Sequence, residues 1–218
     1  MSTTSYREFL RNFTMLAFSH PKPTVAIPDC REFFIEQNGQ SQKLEIICMR
    51  KADLSKELIK WAYDLATRNL MSKYRSYGLR WPKKTMEKEL YMWWARYLIV
   101  YDPSNYVPCG YIMFCFEYST EHTIVHIVGI HVEGMYQNKG IGTQLMKTVE
   151  VLARRFGVQL LTIAVAKKDL DMKRFLYRMG FVHEYTSTWL KGYEMLKMPT
   201  KYYKTMVDWC CQGTRDVE

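Results

Sequence analysis

The residues best suited to chemistry lie together in Ile130-His131-Val132-Glu133-Gly134-Met135-Tyr136-Gln137-Asn138-Lys139-Gly140-Ile141-Gly142-Thr143. This stretch leaves an apolar run and enters an amphipathic one, and its glycines stand where the backbone must turn tightly. A corner of that kind presents consecutive N–H groups at a helix N-terminus, which is an anion site. Gly140 and Gly142 let a phosphate approach the backbone, and Lys139 adds positive charge. The pattern is neither the Walker loop nor GxGxxG. Eleven positions before Gln137 stands His126, whose side-chain type titrates near neutrality and suits proton transfer. Strand alternation puts His126 on one face with Val128 and His131 on the other. A tight turn at 119–122 sets position 115 opposite His126 and makes Glu117 its diagonal neighbour, a carboxylate that would raise the histidine pKa. A half-buried strand histidine bonded to a carbonyl fits the same pattern, so both readings stay open. Glu133 reads as a surface carboxylate beside the loop.

The elements that must position these residues follow from periodicity. Residues 5–18 carry apolar groups at helical spacing, and 19–42, with Pro21, Pro23 and Pro28, read as an irregular connector. Residues 43–50 form a first strand. Asp53 caps a long helix from 54 to about 77, striped by Leu54, Leu58, Trp61, Ala62 and Leu65. Pro82 opens a second helix. Runs 96–102, 110–118 and 123–132 read as an antiparallel meander. A helix at 141–156 ends at Gly157, a buried strand spans 160–165, and a helix at 169–179 ends at Gly180. Residues 181–188 and 193–198 form a last hairpin. The predicted fold is α/β with a mixed (α+β) sheet: one domain over 43–198, with an N-terminal helix and connector in 1–42 and a tail in 199–218.

The chain has 218 residues, 48% of them apolar and 24% charged, which is globular rather than disordered usage. No apolar run reaches membrane-spanning length, so no membrane partner is expected. The N-terminus lacks the build of a signal peptide. Six cysteines without CxxC spacing read as reduced thiols in cytoplasm or nucleus, with no metal site. The net charge of +9 favours contact with phosphates, whether of nucleic acid, a ribosome or a polyanionic cofactor. Lys147, Arg154, Arg155, Arg80, Lys83, Lys84 and Lys88 form either a solvated face or a docking surface for RNA.

Gln137-x-x-Gly140-x-Gly142 after a strand, followed by helix, strand and Phe175-Leu-Tyr-Arg-Met-Gly-Phe181, resembles the GNAT superfamily of N-acetyltransferases. The resemblance implies acetyl-CoA as cosubstrate, cradled by Gln137, Asn138, Lys139, Gly140, Ile141, Gly142 and Thr143, with Ile130, His131 and Val132 lending backbone groups and Lys168 a further contact. It implies a base at or near His126 and an oxyanion held by backbone N–H groups where two strands splay. The position of a tyrosine general acid in many relatives is Leu176 here. Trp61-Ala-Tyr-Asp-Leu65, Asn69, Tyr74, Gly78, Trp81, Ala95–Ile99 and Gly192-Tyr-Glu-Met-Leu196 are similar to the NatD type, which acetylates the N-terminal α-amine of histones that begin Ser-Gly-Arg-Gly. That similarity implies a peptide groove of Tyr74, Trp81, Glu117, Val128, Thr186 and Tyr193, with Tyr193 as possible acid and Glu117 facing a substrate arginine. Where the type bears Tyr-x-Tyr-Glu, this chain has His126-Ile127-Val128-Gly129, and Ser119 and Leu79 replace an acidic and a tryptophan groove residue. The function expected is direct transfer in a ternary complex by a monomer, with His126, Glu117 and Tyr193 as catalytic candidates. The acceptor would be a histone-like protein N-terminus, with possible ribosome association. The alternatives are a lysine or small-amine acetyltransferase, and a nearly inactive acetyl-CoA-binding module on ribosomes or chromatin.

Overall fold

The computed structural model describes residues 27–37, 39–118, 122–184 and 192–200. Within them the strands are β1 (Glu32–Gln37), β2 (Gln40–Arg50), β3 (Arg96–Asp102), β4 (Val107–Tyr118), β5 (Thr123–Val132), β6 (Leu160–Ala166), β7 (Val182–His183) and β8 (Tyr193–Pro199). The helices are α1 (Lys56–Ser76), α2 (Lys83–Leu90), α3 (Ile141–Arg155) and α4 (Leu170–Arg178). One mixed sheet runs β1-β2-β3-β4-β5-β6-β8-β7. Only β5–β6 is parallel, joined through α3; the other described pairs are antiparallel.

Two features of β5 make the site. Gly129 pairs with Met113 but Ile127 with Phe114, so Val128 is an extra residue and β5 bulges there. The β5–β6 ladder then stops at Ile127↔Ile163, while β6 stays paired with β8 as far as Ala166↔Tyr193. Beyond Ile127 the two strands therefore diverge, and the β5 backbone that faced β6 loses its partner.

Apolar side chains cover both faces. Ile141, Leu145, Met146, Val149 and Leu152 of α3 pack with Ile112, Phe114, Val125, Ile127 and Ile163 on one face. On the other, Ile59, Ala62 and Leu65 of α1 pack with Tyr97, Ile99, Tyr111 and Met113. The stripe read for α1 is thus its core face.

The structure corrects two boundaries. The segment read as a connector contains β1 and the start of β2: Gln37 pairs with Gln40 across a two-residue turn whose Gly39 takes φ 74°. Asn38-Gly39 is the dipeptide that such a turn favours. Ser55, not Asp53, caps α1, accepting the Leu58 N–H at 3.2 Å. Asp53 is held by Arg50 at 2.9 and 3.0 Å. Of the last hairpin, Val182 and His183 pair with Lys197 and Leu196 of β8. The helix read over 5–18, Thr186 and the chain beyond 200 lie outside the described residues.

Candidate active site

The strand β5 runs into the glycine loop through two anchors on α1. The Val132 carbonyl accepts from Asn69 Nδ2 at 3.1 Å and from Gln137 Nε2 at 3.0 Å. Glu133 Oε1 accepts from Trp61 Nε1 and Arg68 Nη2, both at 2.8 Å. Glu133 is therefore no free surface carboxylate; it clamps the loop to α1. Asn138 and Gly140 take left-handed φ angles of 61° and 84°, and α3 starts at Ile141 with no side chain capping it. Its first N–H groups have no intrahelical acceptor. A Cβ on Gly140 would meet nothing within 4 Å, and one on Gly142 only ordinary contacts to Phe175 and Ile130 at 3.7 and 3.8 Å. The corner is open to a ligand.

That corner is one end of a cleft of about 950 Å³ lined by α1, the end of β5, the loop, the start of α3 and one side of α4. Ile130, His131, Val132, Gln137, Asn138, Gly140, Ile141, Gly142 and Thr143 line it. Lys139 and Lys168 do not. Lys139 Nζ lies 5.7 Å from the Tyr136 ring centre, and Lys168 Nζ donates to the Tyr77 carbonyl at 3.0 Å. Sequence reasoning missed Arg68, Lys73, Arg174 and Arg178, cations along the cleft. Arg68 pairs with Glu133, Lys73 with Asp169 at 3.3 Å and Arg174 with Asp171 at 3.6 Å. Arg178 has no ion pair among the described residues and lies available to an anion. The signal was present in α1, whose core stripe turns polar at Arg68, Asn69 and Lys73, at helical spacing from Trp61 and Leu65.

The histidines differ from expectation. Cys115 faces His126 in register and Glu117 is its diagonal neighbour, as expected; Glu117 is exposed opposite Ile124 and accepts from Cys115 Sγ at 3.5 Å. His126 Nδ1 meets Thr162 Oγ1 at 2.9 Å. Burial holds the His126 pKa below its ordinary value; Glu117 pushes it upward by less, so the net shift is opposite to that expected. His126 precedes the point of divergence and is absent from the cleft lining. His131, placed by simple alternation on the other face, shares the face of His126. Tyr111 and Cys115 are four apart on unbroken β4, and the bulge at Val128 resets the phase between their partners His131 and His126. His131 is buried, its ring centre 5.3 Å from that of Tyr111, and burial pushes its pKa down to about 4. Leu176 is in the core and Tyr177 is exposed on another side of α4, so neither can serve as an acid here.

Tyr74, Trp81 and Tyr193 come together. Ring centres of Tyr74 and Trp81 are 5.3 Å apart, and those of Tyr74 and Tyr193 are 6.1 Å apart. Burial, with a smaller contribution from a hydrogen bond to Tyr193, raises the Tyr74 pKa. A Cβ on Gly192 would lie 2.7 Å from Leu79, so the chain after α1 rests directly on the start of β8. Val128 packs partly buried among the α1-face core residues. Helix α1 thus bridges the divergence, with Asn69 on the β5 lip and Tyr74 on the β6–β8 lip.

The profile of the acetyltransferase (GNAT) family matches residues 56–181, and the chain belongs to that family. An acyl-CoA N-acyltransferase from Pseudomonas aeruginosa is similar in structure at TM-score 0.55 and 16% identity, over 71% of this chain and 99% of that one. GCN5 of Tetrahymena matches at TM-score 0.55 and 14% identity, over 79% and 97% of the two chains. The PaiA N-acetyltransferase of Thermoplasma acidophilum, solved with coenzyme A, matches at TM-score 0.50 and 16% identity, over 72% and 98%. The fold is theirs, and the activity is acetyl-CoA-dependent acetyl transfer. The uncapped α3 start, the open glycines and the unpartnered β5 edge fit a long, phosphate-bearing thioester. Among the described residues no cluster could hold a metal ion.

Proposed function

We propose that this acetyltransferase modifies the α-amine of a protein N-terminus, with histone-like Ser-Gly-Arg-Gly ends as the favoured acceptors. The observation that carries the reading is the aromatic wall of Tyr74, Trp81 and Tyr193 on the β6–β8 lip, across the divergence from the acetyl-CoA cleft. Such a wall suits an extended peptide backbone, and the exposed Glu117 offers a carboxylate to an arginine side chain. The amine nitrogen attacks the thioester carbon, a C–N bond forms, the C–S bond breaks and CoA leaves as thiolate. Among the described cysteines none lines the cleft, and burial raises the Cys115 pKa, so transfer is direct. His126, kept neutral by burial and hydrogen-bonded to Thr162, takes the amine proton through a water, since it stands just short of the divergence.

The test is acetyl transfer to Ser-Gly-Arg-Gly peptides with free and blocked N-termini, the blocked peptide carrying a lysine. Turnover only on the free terminus supports the reading. Turnover on the blocked peptide moves the acceptor to lysine, and silence on both, with acetyl-CoA bound, supports a binding module. Replacing Glu117 with alanine should raise KM for arginine-bearing peptides about tenfold, the loss of one charge-assisted contact.

A further inference from the structure

His131 is 6% exposed, yet neither ring nitrogen meets a hydrogen-bond partner among the described residues. Its ring nitrogens are not sealed in the core, so they stay open to a partner that enters from the cleft. This imidazole lines the acetyl-CoA cleft. Its Nε2 lies 3.0 Å from where a Cβ on Gly129 would stand, beside the bulge and just past the last β5–β6 pair. Any side chain at 129 would displace the ring, so the bare glycine is the space the histidine uses. Tyr111 backs the ring, and its own hydroxyl is fixed to the Ala62 carbonyl at 2.9 Å. The imidazole is therefore held before any ligand arrives, at the end of the cleft where β5 and β6 have parted.

We propose that His131 donates a hydrogen bond from Nε2 to the thioester carbonyl oxygen of bound acetyl-CoA and holds the oxyanion formed when the amine attacks. The inference rests on the acetyl-transfer reading of the cleft, and not on which amine is the acceptor. As the C–N bond forms, the carbonyl π pair moves to oxygen, where the N–H meets it; collapse restores the carbonyl and expels the thiolate. His131 keeps its proton throughout, as suits an imidazole that burial holds neutral, and the amine proton leaves by His126. A fixed donor in a water-poor site gains strength as charge develops on its acceptor.

The test uses the whole chain and its His131→Phe and His131→Gln variants. In wild type, the carbonyl stretch of 13C-labelled acetyl-CoA should fall to lower wavenumber on binding, and in His131→Phe that shift should vanish. Removing the donor should lower kcat about 10²–10³-fold, with the Kd for acetyl-CoA changed less than about threefold. His131→Gln, which keeps an N–H donor, should recover part of both signals, and it carries the test alone if the Phe variant does not fold. An unshifted carbonyl in wild type, or a Phe variant within about threefold of wild-type kcat, overturns the proposal. So does a loss confined to acetyl-CoA affinity. If no peptide is acetylated, the acceptor reading fails while the carbonyl frequency still decides the role of His131.

Discussion

Acid should unfold this protein in a way that one residue controls. His131 is buried against Tyr111 with its pKa pushed down to about 4, against 6.5 for an ordinary histidine. Between those two values the folded state binds fewer protons than the unfolded chain, so acidification favours the unfolded chain. At about 1.4 kcal/mol per pKa unit, the full effect is about 3 kcal/mol, and about 2 kcal/mol of it is lost between about pH 7.5 and pH 5. Phe fills a similar volume, keeps the ring contact with Tyr111 and cannot be protonated. Urea unfolding of wild type and His131→Phe across that range, followed by tryptophan fluorescence, isolates the contribution. His126, whose pKa burial also lowers, acts in the same direction in both proteins and cancels in the difference. The stability gap should move in favour of the variant by about 2 kcal/mol as the pH falls. A gap constant with pH would refute the lowered pKa of the buried imidazole.

Other perturbations have definite outcomes. Glu133→Ala leaves the Trp61 indole N–H without its acceptor and should cost about 1–3 kcal/mol while weakening acetyl-CoA binding; urea unfolding and calorimetry check both, and an unchanged midpoint contradicts the clamp. Gly110→Ala places a Cβ 2.9 Å from the His131 carbonyl and 3.2 Å from Val132 Cα. Those are backbone atoms with no easy escape, so thermal unfolding should show a loss of about 1–3 kcal/mol. Tyr74→Phe removes the hydroxyl beside Tyr193 and should raise the peptide KM several-fold, leaving the acetyl-CoA Kd unchanged; a change in that Kd instead would place Tyr74 in the cofactor cleft.

The loop from Gln137 to Thr143 was legible because glycine chemistry is local: left-handed φ at Gly140 and the absence of a side chain at Gly142 need no tertiary information. The order of strands and helices was legible for a similar reason, since α1 and α3 each bury one periodic stripe and β3, β4 and β6 are apolar runs buried on both faces. The face of His131 was not, because one inserted residue, Val128, reverses side-chain alternation, and the isolated Gly129 beside it marks a bulge without fixing which residue is inserted. Nor could spacing along the chain show that burial at His126 outweighs the pull of Glu117, or that Lys168 turns back to the Tyr77 carbonyl. Strand β1 escaped notice because prolines and polar residues before it hid a short edge strand whose one fully buried side chain is Ile35.

The central claim is that α1 holds a peptide α-amine and acetyl-CoA on opposite lips of one divergence. Its most direct test is the affinity of two bisubstrate compounds, CoA joined through an acetyl bridge to the α-amine of Ser-Gly-Arg-Gly or to a lysine side chain. The α-linked compound should bind at least about a hundredfold more tightly than CoA alone, as transition-state-like ligands do, and the lysine-linked one should gain little. Equal binding of both compounds, or no gain over CoA for either, would contradict the claim.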